Sequence, residues 1–209
     1  LSPASNQSTT GNNWIFVNVS ANETLSWCTL NWYNGSWQNV SMTATGFYCY
    51  KNMTGLTSGS YYFRVYGNDS TNHMNVTEDR QASVQIVWNC TTCSNCNSNI
   101  SSASSGDIVK LTSDISATGT CIQFNGKDNV TLDCNGKKIY RTSSGSGMGI
   151  NVSFYYNLNS DWVTIQNCSN ISYFQYGIYM DFSDNSVIRN TSSFLNTYNI
   201  GYGIYLQDS

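Results

Sequence analysis

Proline occurs once in this chain of 209 residues, at Pro3, and histidine once, at His73. Charged residues are only 10% of the total, well below the ~25% of ordinary globular domains. Aromatics reach 14%, and with so little proline and charge this excludes a disordered chain. Net charge is −3, without a basic patch, so no nucleic-acid partner is expected. No apolar run is long enough to predict a transmembrane helix. No helical period with capping residues stands out, whereas Tyr, Thr, Val, Ile and Trp favour strands. The expected class is all-β. The first residue is Leu1 rather than methionine, and we expect a removed signal peptide or a fragment.

What the chain has in excess is Asn-X-Ser/Thr. Fifteen such sequons occur, none with proline between: Asn6, Asn18, Asn22, Asn34, Asn39, Asn52, Asn68, Asn75, Asn89, Asn99, Asn129, Asn151, Asn167, Asn170 and Asn190. An attached glycan is bulky and hydrophilic, so this density predicts covalent N-linked glycans and an extracellular or cell-surface location. A chain rich in Asn, Ser and Thr also generates sequons by composition alone. Eight cysteines accompany them: Cys28, Cys49, Cys90, Cys93, Cys96, Cys121, Cys134 and Cys168. Their even number and the sequons predict disulfides in an oxidising compartment. Cys90-x-x-Cys93-x-x-Cys96 has zinc-like spacing but lacks a nearby fourth ligand, so no metal and no cofactor are expected.

Two segments follow different rules. Residues 1–13 are expected to be an extended polar tail, free to add a strand to a neighbouring subunit. Residues 14–88 read as short strands: Trp14–Ser20, Leu25–Tyr33, Trp37–Thr45, Phe47–Lys51, Leu56–Asp69 and Ala82–Trp88. Asn34-Gly35 marks a hairpin turn. Cys28 and Cys49 are the only cysteines here and are expected to pair. The run Leu56–Asp69, an acidic turn and a closing strand resemble the immunoglobulin-like modules of microbial, especially archaeal, surface proteins. That resemblance implies an Ig-like β-sandwich.

Residues 89–106 are rich in Asn, Ser, Thr and Cys and are expected to be a junction. Beyond it, Ile122, Ile150, Ile178 and Ile204 recur 28, 28 and 26 residues apart. Phe124, Val152, Met180 and Leu206 follow each by two, on the same face of a strand. Leu132, Ile165 and Ile188 suggest a second ladder, with an insertion near 154–160. Such self-similarity predicts stacked coils. Asn135, Asn167 and Asn190 fall at one turn and could pair. Cys134 and Cys168 could meet on adjacent coils, although the connectivity of six cysteines stays open. Asp128–Gly136, Trp162–Cys168 and Asp184–Asn190 resemble coils of the right-handed parallel β-helix proteins, the pectate-lyase-like superfamily. The resemblance covers about 105–209 and implies a parallel β-helix over residues 107–209, incomplete at its C-terminal end.

That superfamily includes polysaccharide lyases and hydrolases, so carboxylate pairs matter. The candidates are Asp107, Asp114, Asp128, Asp133, Asp161, Asp181, Asp184 and Asp208, with Asp181 and Asp184 near each other in sequence. The His-Gly and Arg-x-Lys elements of pectinase-like hydrolases are missing, so no catalytic set is assigned. Turn chemistry would account for the same aspartates. Tyr155, Tyr156, Tyr173, Tyr176, Tyr179, Tyr202 and Tyr205 could stack on sugars or pack as ordinary ladders. The expected function is a structural or adhesive glycoprotein of an extracellular surface assembly, with self-association into a filament as its partner interaction. A β-helix polysaccharide lyase or hydrolase and a non-catalytic glycan-binding module are the competing readings.

Overall fold

A computed structural model describes residues 7–143, 145–153, 159–197 and 200–207. The chain divides between Ile86 and Val87 into two units. Both are built from strands. The first contains β1 (Gln7–Thr10), β2 (Trp14–Ser20), β3 (Leu25–Tyr33), β4 (Trp37–Ser41), β5 (Thr43–Thr45), β6 (Tyr48–Thr54), β7 (Gly59–Asp69), β8 (Met74–Val76) and β9 (Arg80–Gln85). One sheet runs β1-β9-β7-β3-β4 with β8 beside β7, and the other runs β2-β6-β5.

Alternation decides what these sheets bury. In β2, Ile15, Val17 and Val19 face a core shared with Leu30, Trp32, Phe63, Val65, Ala82 and Val84. Trp32 stacks between Tyr61 and Phe63, with ring centroids 5.2 and 5.9 Å away. Cys28 on β3 bonds Cys49 on β6, as expected, and ties one sheet to the other. Closing that loop stabilises the unit by about 3 kcal/mol in the chain-entropy model. Asn34–Ser36 form the expected β3–β4 turn, with Gly35 at φ 79°.

Three expectations need correction here. The closing strand expected over Ala82–Trp88 ends at Gln85, and Val87 and Trp88 belong to the second unit. The tail over 1–13 is not wholly unemployed: Gln7–Thr10 pair in parallel with Ala82–Gln85 of the same chain. The strand expected over Trp37–Thr45 breaks at Met42. Its first part pairs with β3 and its second with β6, so the segment changes sheets.

The second unit contains β10 (Val87–Cys90), α1 (Cys93–Ser102), β11 (Ile108–Leu111), β12 (Ile115–Ala117), β13 (Ile122–Gln123), β14 (Thr131–Asp133), β15 (Lys138–Arg141), β16 (Met148–Ser153), β17 (Thr164–Gln166), β18 (Asn170–Ser172), β19 (Tyr176–Asp181), β20 (Val187–Arg189) and β21 (Tyr202–Gln207). Its strands form three parallel sheets: β10-β11-β14-β17-β20, β12-β15-β18 and β13-β16-β19-β21. The register carries the ladders read from the sequence. Ile122, Ile150, Ile178 and Ile204 are direct neighbours, as are Leu132, Ile165 and Ile188. A third ladder, Ile115–Ile139–Ile171, was not anticipated. The insertion expected near 154–160 falls mostly outside the described residues.

Residues 89–106 are not a free junction. β10 is the first strand of a parallel sheet, and α1 packs on β10, β11, β12 and β13. Thr92 caps the helix by accepting a hydrogen bond from the Asn95 N–H at 3.1 Å. Disulfides Cys90–Cys96 and Cys93–Cys121 fix both sides of it. Asn97 adds a two-way bond to β13: its Nδ2 donates to the Cys121 carbonyl, and its Oδ1 accepts from the Gln123 N–H. Cys134 and Cys168 also pair, so all eight cysteines are bonded.

Candidate functional site

Several asparagines occupy turns between the strands of the parallel sheets. Asn135, Asn167 and Asn190 sit after β14, β17 and β20 at φ 51°, 57° and 49°, a left-handed region that asparagine tolerates better than most residues. Asn190 Nδ2 donates to Asn167 Oδ1 at 3.4 Å, so part of the expected stack forms. Asn135 instead donates to the Leu111 carbonyl, and Asn167 donates to Asp133. Two of the three turn residues, Asn167 and Asn190, also belong to sequons.

Exposure separates the sequons. Asn18, Asn22, Asn34, Asn39, Asn52 and Asn75 are exposed in the first unit, as are Asn89, Asn129 and Asn190 in the second. Asn99, Asn151, Asn167 and Asn170 are half-buried. Asn99 Nδ2 is held by the Asn89 carbonyl at 3.0 Å. Asn151 lies between Gln123 and Tyr179 on adjacent strands, flanked more closely than a free outward position implies. Asn68 departs furthest from expectation. It is 8% exposed, and its Nδ2 donates to Asn72 Oδ1 at 3.1 Å. The facing strand β3 carries a bulge at this level, with Ser26 as the extra residue between the pairs Leu25–Asp69 and Trp27–Asn68. That amide is nearly enclosed and already engaged in the folded chain. Asn6 lies outside the described residues.

Several aspartates accept hydrogen bonds from residues 23–34 positions away, and others close local turns. Asp128 accepts the Asp161 N–H and Asp161 accepts the Asp184 N–H, each at 2.9 Å. Asp114 accepts the Lys138 N–H at 2.9 Å, and Asp133 accepts the Asn135 N–H at 2.8 Å. Asp107 is buried and accepts from Trp88 Nε1 and the Ser104 N–H. Asp181 accepts from the Tyr179 hydroxyl at 3.3 Å, while Asp184 is exposed and receives no bond from that tyrosine. The sequence neighbours Asp181 and Asp184 thus have separate partners. Asp208 lies outside the described residues. Among the described residues no group of His, Cys, Asp and Glu is arranged to hold a metal ion.

The tyrosines form two columns on the outward face of β19 and β21. Tyr176 and Tyr202 stack at 5.6 Å with planes 6° apart, and Tyr179 and Tyr205 stack at 5.4 Å with planes 8° apart. The columns meet edge to face, as at Tyr176–Tyr179, 5.3 Å and 74°. Each stacked ring gives one face to its partner, which reduces the face left for a sugar. Burial, then the charge of Asp181, raises the Tyr179 pKa above its ordinary value. Tyr173 is exposed, whereas Tyr155 and Tyr156 lie outside the described residues.

Sequence reading missed a polar knot in the first unit. Asp69 Oδ1 accepts from the Thr71 N–H, the Thr71 hydroxyl and the His73 N–H at 2.8–2.9 Å. These bonds, the His73 N–H first, hold its carboxyl far below the usual carboxylate range, against the opposing effect of burial. A folded pKa below the unfolded value of about 3.9 stabilises the fold above that pH and loses effect as pH falls through the folded value. Urea titration at neutral and acid pH is therefore expected to show the first unit weakening below about pH 4. Asp69→Asn should lower the neutral midpoint and flatten this pH dependence.

No family model matches the chain, and no curated protein matches it significantly.

Proposed function

We propose that this chain is a structural or adhesive glycoprotein of an extracellular surface assembly. Its first unit reads as an Ig-like sandwich and its second as a right-handed parallel β-helix. The observation that carries the reading is the exposure of nine sequon asparagines, spread over strands and turns of both units. Four disulfides support an oxidising compartment. Among the described residues no helix is long and apolar enough to cross a membrane.

Self-association belongs to the same proposal. The tail segment Gln7–Thr10 already pairs with β9 of the same chain, so it is not a spare strand for exchange. The far edge differs. Ile204 and Leu206 are 43% and 59% exposed, while their ladder neighbours Ile178 and Met180 are 0% and 3% exposed. A strand laid beside β21, from a second copy or from further residues of the same chain, would cover these side chains.

Glycopeptide mass spectrometry with electron microscopy of native material tests the proposal. The expected result is glycan at most of the nine exposed sites, none at Asn68, and assembled particles. Strictly monomeric material with bare sequons would overturn it.

A further inference from the structure

The outward face of β4, β3, β7 and β8 carries a groove of about 430 Å³, lined by Trp27, Asn31, Trp37, Asn39, Arg64 and Tyr66 among others. Cross-strand register explains how it is built. Asn39, Asn31 and Arg64 stand opposite one another across β4, β3 and β7. They form a hydrogen-bonded row: Asn31 Nδ2 donates to Asn39 Oδ1 at 2.8 Å, and Arg64 Nε donates to Asn31 Oδ1 at 3.2 Å. The Arg64 guanidinium lies 4.9 Å from the Trp37 ring centroid and 5.9 Å from that of Tyr66. Trp27 and Trp37 are 42% and 45% exposed, an unusual amount of indole to leave in water.

Asn39 is the informative member. It heads the sequon Asn39-Val40-Ser41, it is exposed, and it is itself part of the groove wall. Trp37 precedes it by two residues on the same strand, so both side chains rise from one face. The Asn31 bond engages Asn39 through its oxygen and leaves the amide nitrogen as the attachment atom. Any sugar joined there begins its path inside the groove.

We propose that an N-glycan on Asn39 lies back in this groove. The apolar faces of its first pyranose rings rest against the indoles, whose negative faces attract polarised C–H groups. Its hydroxyls meet the Asn31–Arg64 row. The inference rests on the glycoprotein reading above and adds where one glycan goes and what it covers. Attachment forms an N–C bond from Asn39 Nδ2 to the anomeric carbon of an activated, phosphate-linked saccharide donor. The amide gives up one proton, and the phosphate group leaves with the bonding pair.

The test uses the full chain secreted from a glycosylating host. Glycopeptide mass spectrometry reads Asn39 occupancy. Unfolding midpoints are compared for the parent, Asn39→Gln, Trp27→Leu/Trp37→Leu, and all three changes together. Both tryptophans lie outside the buried core, so their replacement leaves that core intact. We expect Asn39→Gln to lower the midpoint by about 4 °C in the parent, with little further loss once the tryptophans are gone. Enzymatic removal of the glycan from the unmutated chain should also increase quenching of tryptophan fluorescence by acrylamide. Equal losses in both backgrounds, or unchanged quenching, overturn the inference. So does a groove that binds soluble oligosaccharide equally well with Asn39 glycosylated. Occupied Asn18, Asn22 and Asn34 with a bare Asn39 overturn this inference alone. Bare sequons throughout overturn the glycoprotein reading with it.

Discussion

Gly149→Ala is expected to cost the second unit about 3 kcal/mol, seen as a lower calorimetric midpoint for that unit. A methyl group at position 149 would fall 2.5 Å from the Gly177 carbonyl oxygen and against Ile171 Cγ2. It would also approach Phe174 Cδ2 to 3.2 Å. Ile171 and Phe174 are fully buried, and the carbonyl belongs to the adjoining strand β19. No rotamer change moves a backbone oxygen, so β16 and β19 must separate or the core beneath must shift. Gly177 stands in the same relation to the Gly203 carbonyl, again at 2.5 Å. The close approach is therefore a property of the ladder rather than of one site. Gly119→Ala is the control: its added methyl meets nothing within 4 Å and should be nearly neutral. A parental midpoint for Gly149→Ala would show that the coils tolerate wider spacing there.

Replacing Cys134 and Cys168 together with alanine should lower the second unit's midpoint by roughly 10–15 °C. The bond joins cysteines 34 residues apart, just after the paired strands β14 and β17, with Cα atoms 4.6 Å from each other. Chain-entropy reasoning assigns about 4 kcal/mol to closing such a loop. Both side chains are essentially buried and belong to the core cluster. Alanine therefore also leaves space where two sulfur atoms packed, and that cost adds to the entropic one. The strand pairs Leu132–Ile165 and Thr131–Thr164 lie immediately before the bond and should lose amide-exchange protection with it. A midpoint unchanged by the double replacement would mean that the ladders alone fix these coils.

The outer ladders were legible because their repeat survives in one residue type. Isoleucine at 122, 150, 178 and 204 keeps nearly constant spacing, which makes the column visible in the sequence. Ile115, Ile139 and Ile171 pair just as directly, but they lie 24 and 32 residues apart, and that uneven spacing hides the repeat. The helix was hidden for a different reason. Cys93, Cys96, Ile100 and Ala103 follow helical spacing, but cysteines at three-residue intervals resemble a disulfide or metal motif before they resemble a stripe. Thr92 was available as a cap signal and lacked an apolar run to announce.

The candidate site was legible as positions and not as geometry. Sequons read directly from the chain, whereas alternation along β7 would place Asn68 outward and only the folded strand shows it buried. The aspartate chain Asp128–Asp161–Asp184 joins residues 33 and 23 positions apart, so only the folded register reveals it. The Asn39 groove is similar, since its row comes from three strands.

The placement of the covalent links gives the second unit a mechanical polarity. Cys90–Cys96, Cys93–Cys121 and Cys134–Cys168 all lie at or before residue 168. Tension applied from the β21 side meets only hydrogen bonds and apolar contacts until it reaches Cys168. There the load passes through sulfur to Cys134 and bypasses the segment between them, then does the same from Cys121 to Cys93. Pulling would pay out residues 169–207 as slack and leave the enclosed loops shielded from the load. Under such a load the two disulfide-closed loops would stay shut, while residues 122–133 and those beyond Cys168 could extend.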